Sequence, residues 1–215
     1  YSLICMWRLE MNILSDLLEN ITFTHNIEKD AYKFLEYHGY KEIAEHCSKV
    51  ANEAERLAKR FNVDNVSCRM AGYLHDVGRV FSDSQSVDIA SQLGIQILGE
   101  EHTYAGLLHQ KISKVLAYEL FGIKDNNILN AIECHTTLRA GASDIDLVLF
   151  IADKLSWDSA DSKPILSGIL NGLEESLKHG AFSYISYLYE NRNNIKVLHP
   201  WTLEAYNDLK VKCIK

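Results

Sequence analysis

Between residues 41 and 61 the apolar positions are Ile43, Cys47, Val50, Ala54, Leu57 and Phe61, with successive spacings of 4, 3, 4, 3 and 4. That rhythm is one face of an α-helix, where residues three and four apart stack on the same side. Proline, which breaks a helix from within, occurs only at positions 164 and 200. The chain is thereby free to form one helix after another, and it reads as all-α.

The other segments follow the same logic. Residues 10–38 read as one or two helices with a break at Thr22–Asn26, and Asp30 as the cap of a short segment ending at Gly39. Asp64 or Asn65 caps a helix whose apolar face is Val66, Met70, Tyr73, Leu74 and Val77. Residues 80–101 are polar and serine-rich and read as a loop with one helical turn, of the kind that serves as a lid. Helical spacing returns at Tyr104, Leu108, Ile112, Val115 and Leu116 and ends near Gly122. Asp125 caps a helix that leads to His135, and Ser143 caps a densely apolar one from Ile145 to Ala152. Two more fill 163–179 and 181–192, divided at Gly180, and Pro200 opens a last helix through Leu209. Strand-like alternation and internal repeats are both missing. Residues 1–39 read as an N-terminal helical extension and 40–215 as the main domain.

A chain of 215 residues can bury a core of its own. The net charge of −7 argues against a broad nucleic-acid surface, although a small nucleotide is compatible with it if a metal supplies local positive charge. Cysteines 5, 47, 68, 134 and 213 are scattered without a C-x-x-C pair, which fits reduced, buried thiols and a cytoplasmic location. No apolar run reaches the roughly 18 residues that a membrane-spanning helix needs. No membrane partner is expected, and a homodimer is left open.

Against that background the dipeptide His75-Asp76 is unusual, because an imidazole and a carboxylate stand together at the end of an apolar helix. Burying an ionised carboxylate is costly unless it is paired or bound to a metal, and one metal ion would satisfy both groups. His46, His109 and His135 lie on other helices near an inward face or end, and Asp153 follows the apolar run of 145–152. Intervals of 29, 34, 26 and 18 residues separate His46, His75, His109, His135 and Asp153, which suits one contribution per helix to a site in the centre of a bundle. Imidazole with carboxylate suits iron, manganese, cobalt or zinc. His25, His38 and His179 lack any partner pattern and read as core or boundary residues, and His102 is ambiguous, since a residue that caps or precedes a helix would look the same.

The order His46, His75-Asp76, Asp153 in a helical chain resembles the H…HD…D pattern of HD-superfamily metal-dependent phosphohydrolases. Further segments stand in matching order: Leu107-Leu108-His109, Tyr118–Ile123, Glu133–Thr137, Ile151-Ala152-Asp153 and His199–Asn207. Over roughly residues 40–210 the chain resembles the bacterial HD hydrolases that split diadenosine tetraphosphate symmetrically into two ADP. The resemblance implies a single helical bundle with a metal site in its centre, held by His46, His75, Asp76 and Asp153. The metal would be divalent, iron first, with Mn, Co, Zn or Mg as alternatives, and a second ion would sit at His109 and His135. Asp76, His109 and His135 would carry the chemistry. Lys49, Arg79, His109, His135, Thr136, His199 and Thr202 would contact a nucleotide substrate. Trp157, Trp201 and Tyr206 are candidates for stacking on a base, with core packing as the alternative. The chain departs from the family at three places. Arg79 stands where lysine is common, Lys154–Ser159 lacks the usual proline and arginine, and Trp201 replaces an acidic residue after His-Pro.

Overall fold

The computed structural model describes residues 13–157 and 163–214, with no side-chain detail at 163 and 164. After a helical stretch at 13–17, its helices are α1 Ile27–Tyr37, α2 Lys41–Phe61, α3 Asn65–Leu74, α4 Asp83–Gln92, α5 Gly99–Thr103, α6 His109–Glu119, α7 Asn126–Cys134, α8 Asp144–Leu155, α9 Lys163–Leu173, α10 Leu177–Glu190 and α11 Pro200–Cys213. Short 3₁₀ turns stand at Val77–Val80 and Ala105–Leu108. Among the described residues there is no strand. The start of the 10–38 reading falls in residues 1–12 and part of the 154–159 stretch in 158–162, both outside the described residues.

The frame consists of α2, α3, α7 and α8, each packed on others of the four. The α2 face predicted from spacing is buried: Cys47, Val50, Ala54 and Leu57 lie at 2% exposure or less. The α8 run Leu147–Ala152 is buried on every side at 0%, as a central helix must be. α1 packs on α2 and α3, while Phe23, Phe34 and Phe121 form an aromatic cluster beneath it. α6 packs on α7 and the Val77–Val80 turn, and α10 bridges α8, α9 and α11.

Caps explain most boundaries. The Asp64 side chain accepts from the Val66 and Ser67 amides, and the Ser143 side chain accepts from Asp146 in a reciprocal capping box. Four boundaries differ from the expectation. The cap of α1 is Asn26, while Asp30 is buried inside the helix and accepts from the Thr24 amide and hydroxyl, tying down the entering chain. Residues 80–101 are no loop, since α4 and α5 occupy most of them. Ser82 and Gln85 form a capping box for α4, and the Ser86 hydroxyl bonds back to the Ser82 carbonyl. Its inward face is small, Ser86 and Ala90, so hydrophobic spacing could not announce it. α6 begins at His109 because the 3₁₀ turn Ala105–Leu108 precedes it. Gly180 lies inside α10, whose cap is Ser176. Here glycine marks a close crossing: a Cβ on Gly172 would stand 2.5 Å from the His179 carbonyl oxygen.

Candidate metal centre

Two close helix approaches assemble the centre. At Gly72 an added Cβ would lie 2.5 Å from the Ala51 Cα, so α3 crosses α2 almost backbone to backbone. That crossing sets the His75 and His46 rings 5.3 Å apart, centre to centre. At Gly78 an added Cβ would lie 2.6 Å from the His109 carbonyl oxygen, and the Gly78 amide donates to the Ser113 hydroxyl at 2.8 Å. This second approach presses the start of α6 against the turn after Asp76.

Three histidines share one device. His75, His109 and His135 each donate from Nδ1 to the backbone carbonyl three residues earlier, those of Gly72, Gly106 and Ile132. A carbonyl can only accept, so Nδ1 carries the proton and each Nε2 presents a lone pair. The Nε2 atoms of His109 and His135 are 3.0 Å apart. They lie 3.2 and 3.4 Å from Asp76 Oδ1. These are acceptors crowded together without protons to share.

His75 Nε2 and Asp76 Oδ1 are buried and have no hydrogen-bond partner. Such atoms are expensive unless something cationic or protic meets them. Two groups of donor atoms lie within 4.8 Å of one another: His46, His75 and Asp153, and His75, Asp76 and His135. His75 is common to both. The donor set is imidazole and carboxylate, which fits a divalent ion of the iron, manganese, cobalt or zinc type.

Charge is balanced around these donors. Asp76 Oδ2 accepts from Arg79 Nε at 2.8 Å, and Asp153 Oδ2 accepts from Lys154 Nζ at 2.7 Å. Burial works to raise the Asp76 carboxyl, but His75, Arg79 and His109 outweigh it and hold it well below the usual carboxylate range. Burial likewise opposes the shift at Asp153, where Lys154 and His46 win and lower it. Burial pushes the His75 imidazole down and takes His135 to about 3.

These shifts share one sign. An unfolded imidazole takes up its proton near pH 6.5 whereas the folded His135 does not until about 3, so acid favours unfolding through that window. The lowered carboxylates add the same trend below about pH 4. The metal-stripped protein is therefore expected to hold its melting temperature between about pH 7 and 8 and to lose it progressively below about 6.5. Scanning calorimetry across pH checks this, and a flat profile down to pH 4 would contradict it.

The remaining residues singled out from the sequence divide into three locations. Arg79 lies at the cluster, with Nη2 3.3 Å from His109 Nε2, and Thr136 Oγ1 is 3.2 Å from the same nitrogen. Thr136, His199 and Thr202 line a cavity of about 350 Å³. His199 is buried against Glu101, and the Thr202 hydroxyl donates to the Thr137 carbonyl. Lys49 lines a separate groove with Arg56 and Ser156. Of the aromatic candidates, Tyr206 stacks on Tyr189 at 3.9 Å, Trp201 packs beside Lys111 and His199, and Trp157 stands over Lys154. The cavity wall instead holds Tyr104 and Tyr184, which sequence reasoning passed over because nothing in their spacing sets them apart from core residues. Lys154 was also missed, although it directly follows Asp153.

Cys47, Cys68, Cys134 and Cys213 are unpaired, the first three buried as expected and Cys213 only half-buried. No described helix is long and apolar enough to cross a membrane.

A family model described as HD domain matches residues 43–158. A protein from Lactococcus lactis subsp. cremoris, named for its place in the pepC 5' region, is 45% identical over 66% of this chain and 71% of its own length. The symmetrical bis(5'-nucleosyl)-tetraphosphatase of Halalkalibacterium halodurans is 26% identical, over 77% of this chain and 87% of its own. A protein from Clostridium acetobutylicum, described as a predicted HD superfamily hydrolase involved in NAD metabolism, has a crystal structure with a TM-score of 0.78 to this fold. It is 25% identical, with 86% of this chain and 97% of that one covered.

Proposed function

The chain belongs to the HD domain family of metal-dependent hydrolases, and from that premise we propose that it splits a dinucleoside polyphosphate symmetrically, diadenosine tetraphosphate giving two ADP. The observation that carries the reading is the pair of buried, unpartnered acceptors, His75 Nε2 and Asp76 Oδ1, at the centre of the cluster. The choice of substrate is supported by the named Halalkalibacterium relative and by the cavity beside Thr136.

In this reading His46, His75, Asp76 and Asp153 hold the metal, and His109 and His135 face a second ion or the substrate phosphates. A divalent ion held there supplies Lewis acidity, acidifying water and polarising a phosphoryl oxygen. Arg79 turns part of its guanidinium fork from Asp76 to the phosphate and stabilises the charge that builds on its oxygens. His109 Nε2, whose lone pair faces Thr136 and Arg79, is the atom placed to take a proton from the attacking water. Tyr104 and Tyr184 give the cavity flat apolar walls for a base, and Lys196, 4.5 Å from the Tyr104 ring centre, brings a cation to its rim.

Arg79→Ala is expected to lower kcat/KM by about 10- to 100-fold, the worth of a hydrogen bond to a charged group. Steady-state kinetics checks it, and a change under twofold would remove Arg79 from the phosphate site. The reading as a whole is tested by product analysis after incubation with diadenosine tetraphosphate and Mn²⁺. Two ADP per substrate are expected. ATP with AMP, or turnover of mononucleotides alone, would overturn the proposed substrate, and tight nucleotide binding without turnover would point to a regulator.

A further inference from the structure

Lys154 is among the largest fully buried side chains, at 2% exposure, and has no part in the ligand set or phosphate contacts above. A buried ammonium is costly unless its charge and its donors are met. Here they are met closely. Nζ donates to Asp153 Oδ2 at 2.7 Å and to the His135 carbonyl oxygen at 3.1 Å. The rings of Phe150, Trp157 and Tyr184 surround it, with centres 4.8, 5.3 and 5.7 Å away. Ring faces attract a cation more strongly where water is excluded.

The geometry is specific to Asp153. Adjacent residues on a helix do not face one another, and helical ion pairs normally join positions three or four apart. Lys154 instead folds back round α8 to reach its own neighbour. With Oδ2 engaged, the carboxylate cannot swing, and Oδ1 is left 3.1 Å from His46 Nε2 and 3.7 Å from His75 Nε2. The second bond grips the residue that ends α7, whose ring is already fixed through Ile132. One ammonium thus joins α7 to α8, two of the elements that bring donors to the cluster.

We propose that Lys154 is a positioning residue of the metal centre, holding the Asp153 carboxylate and the end of α7 in the arrangement that receives a divalent ion. The proposal rests on the metal-dependent reading above and adds to it a residue that touches neither ion nor substrate. Arginine is absent from the stretch 154–157, so no guanidinium there can take over the task.

The test is titration of the metal-stripped full chain with Mn²⁺ alone, followed by calorimetry, for wild type and Lys154→Met. Methionine keeps most of the apolar volume inside the aromatic cage and removes both hydrogen bonds. Partners that orient metal ligands are typically worth 10- to 100-fold in metal affinity, and a loss of that size is expected. Turnover of the variant should recover toward wild type at saturating Mn²⁺. A dissociation constant within threefold of wild type would overturn the proposal.

If the stripped variant does not stay folded, the Mn²⁺ concentration that restores its melting transition reads the same affinity. A requirement 10- to 100-fold above wild type supports the proposal, and an equal requirement overturns it. A wild-type chain that takes up no Mn²⁺ would overturn the metal reading itself, which is a distinct outcome.

Discussion

Replacement of His75 or Asp76 by alanine is expected to remove bound metal and hydrolytic activity together, with activity falling about 10³-fold or more. His75 is shared by both groups of donors, so its loss dismantles each of them. Asp76 takes Arg79 on one oxygen and faces His109 and His135 with the other, and without its charge the Arg79 guanidinium loses its counter-ion. Breaking one partner of a buried charge pair is destabilising as well. Asp76→Asn, which keeps the shape, is therefore the companion variant. Metal content by mass spectrometry and initial rates on the same preparations decide the matter. A full metal complement in the alanine variants would contradict the ligand set.

Gly78→Ala is expected to damage the site without touching a donor atom. Its new methyl would meet the His109 carbonyl oxygen at 2.6 Å and the Ser113 amide nitrogen at 2.7 Å, both belonging to the backbone of α6. Those atoms cannot rotate away, so the turn after Asp76 and the start of α6 must part. Overpacking of this kind costs about 1–3 kcal/mol. The displacement also carries His109 away from Asp76, now 3.2 Å apart, and a shift of about 1 Å at a reacting group is worth on the order of 10²-fold in rate. Gly99→Ala is the control, because nothing lies within 4 Å of its added methyl. Denaturant unfolding and kinetics on both variants test the account, and a Gly78→Ala protein indistinguishable from the control would refute the close approach.

The parts of this fold that sequence reveals are those in which one face does one job. The α2 stripe repeats without interruption, and the α8 run is apolar throughout, so both stood out from composition and spacing. α4 was hidden because its inward residues, Ser86 and Ala90, are too small to mark a hydrophobic face. The glycines misled for a related reason. Gly180 reads as a break in the chain, but it fits where α9 meets α10 and a side chain would not. At the centre, a histidine and a carboxylate in adjacent positions made the metal hypothesis legible. The bonds from Nδ1 to the carbonyls of Gly72, Gly106 and Ile132 were not, since they depend on how each helix ends. Lys154 was passed over because a lysine beside an aspartate usually points to solvent, and only the cage of Phe150, Trp157 and Tyr184 turns it inward.

On the proposed reading, a divalent ion at the cluster of His75 and Asp76 drives hydrolysis at phosphorus. The most direct measurement is the rate of diadenosine tetraphosphate hydrolysis by the metal-stripped chain as Mn²⁺ is added back, with bound ion counted in parallel. A negligible rate is expected in the stripped protein, rising in proportion to occupancy, with ADP as product. Undiminished hydrolysis by the stripped protein in the presence of a chelator would contradict it.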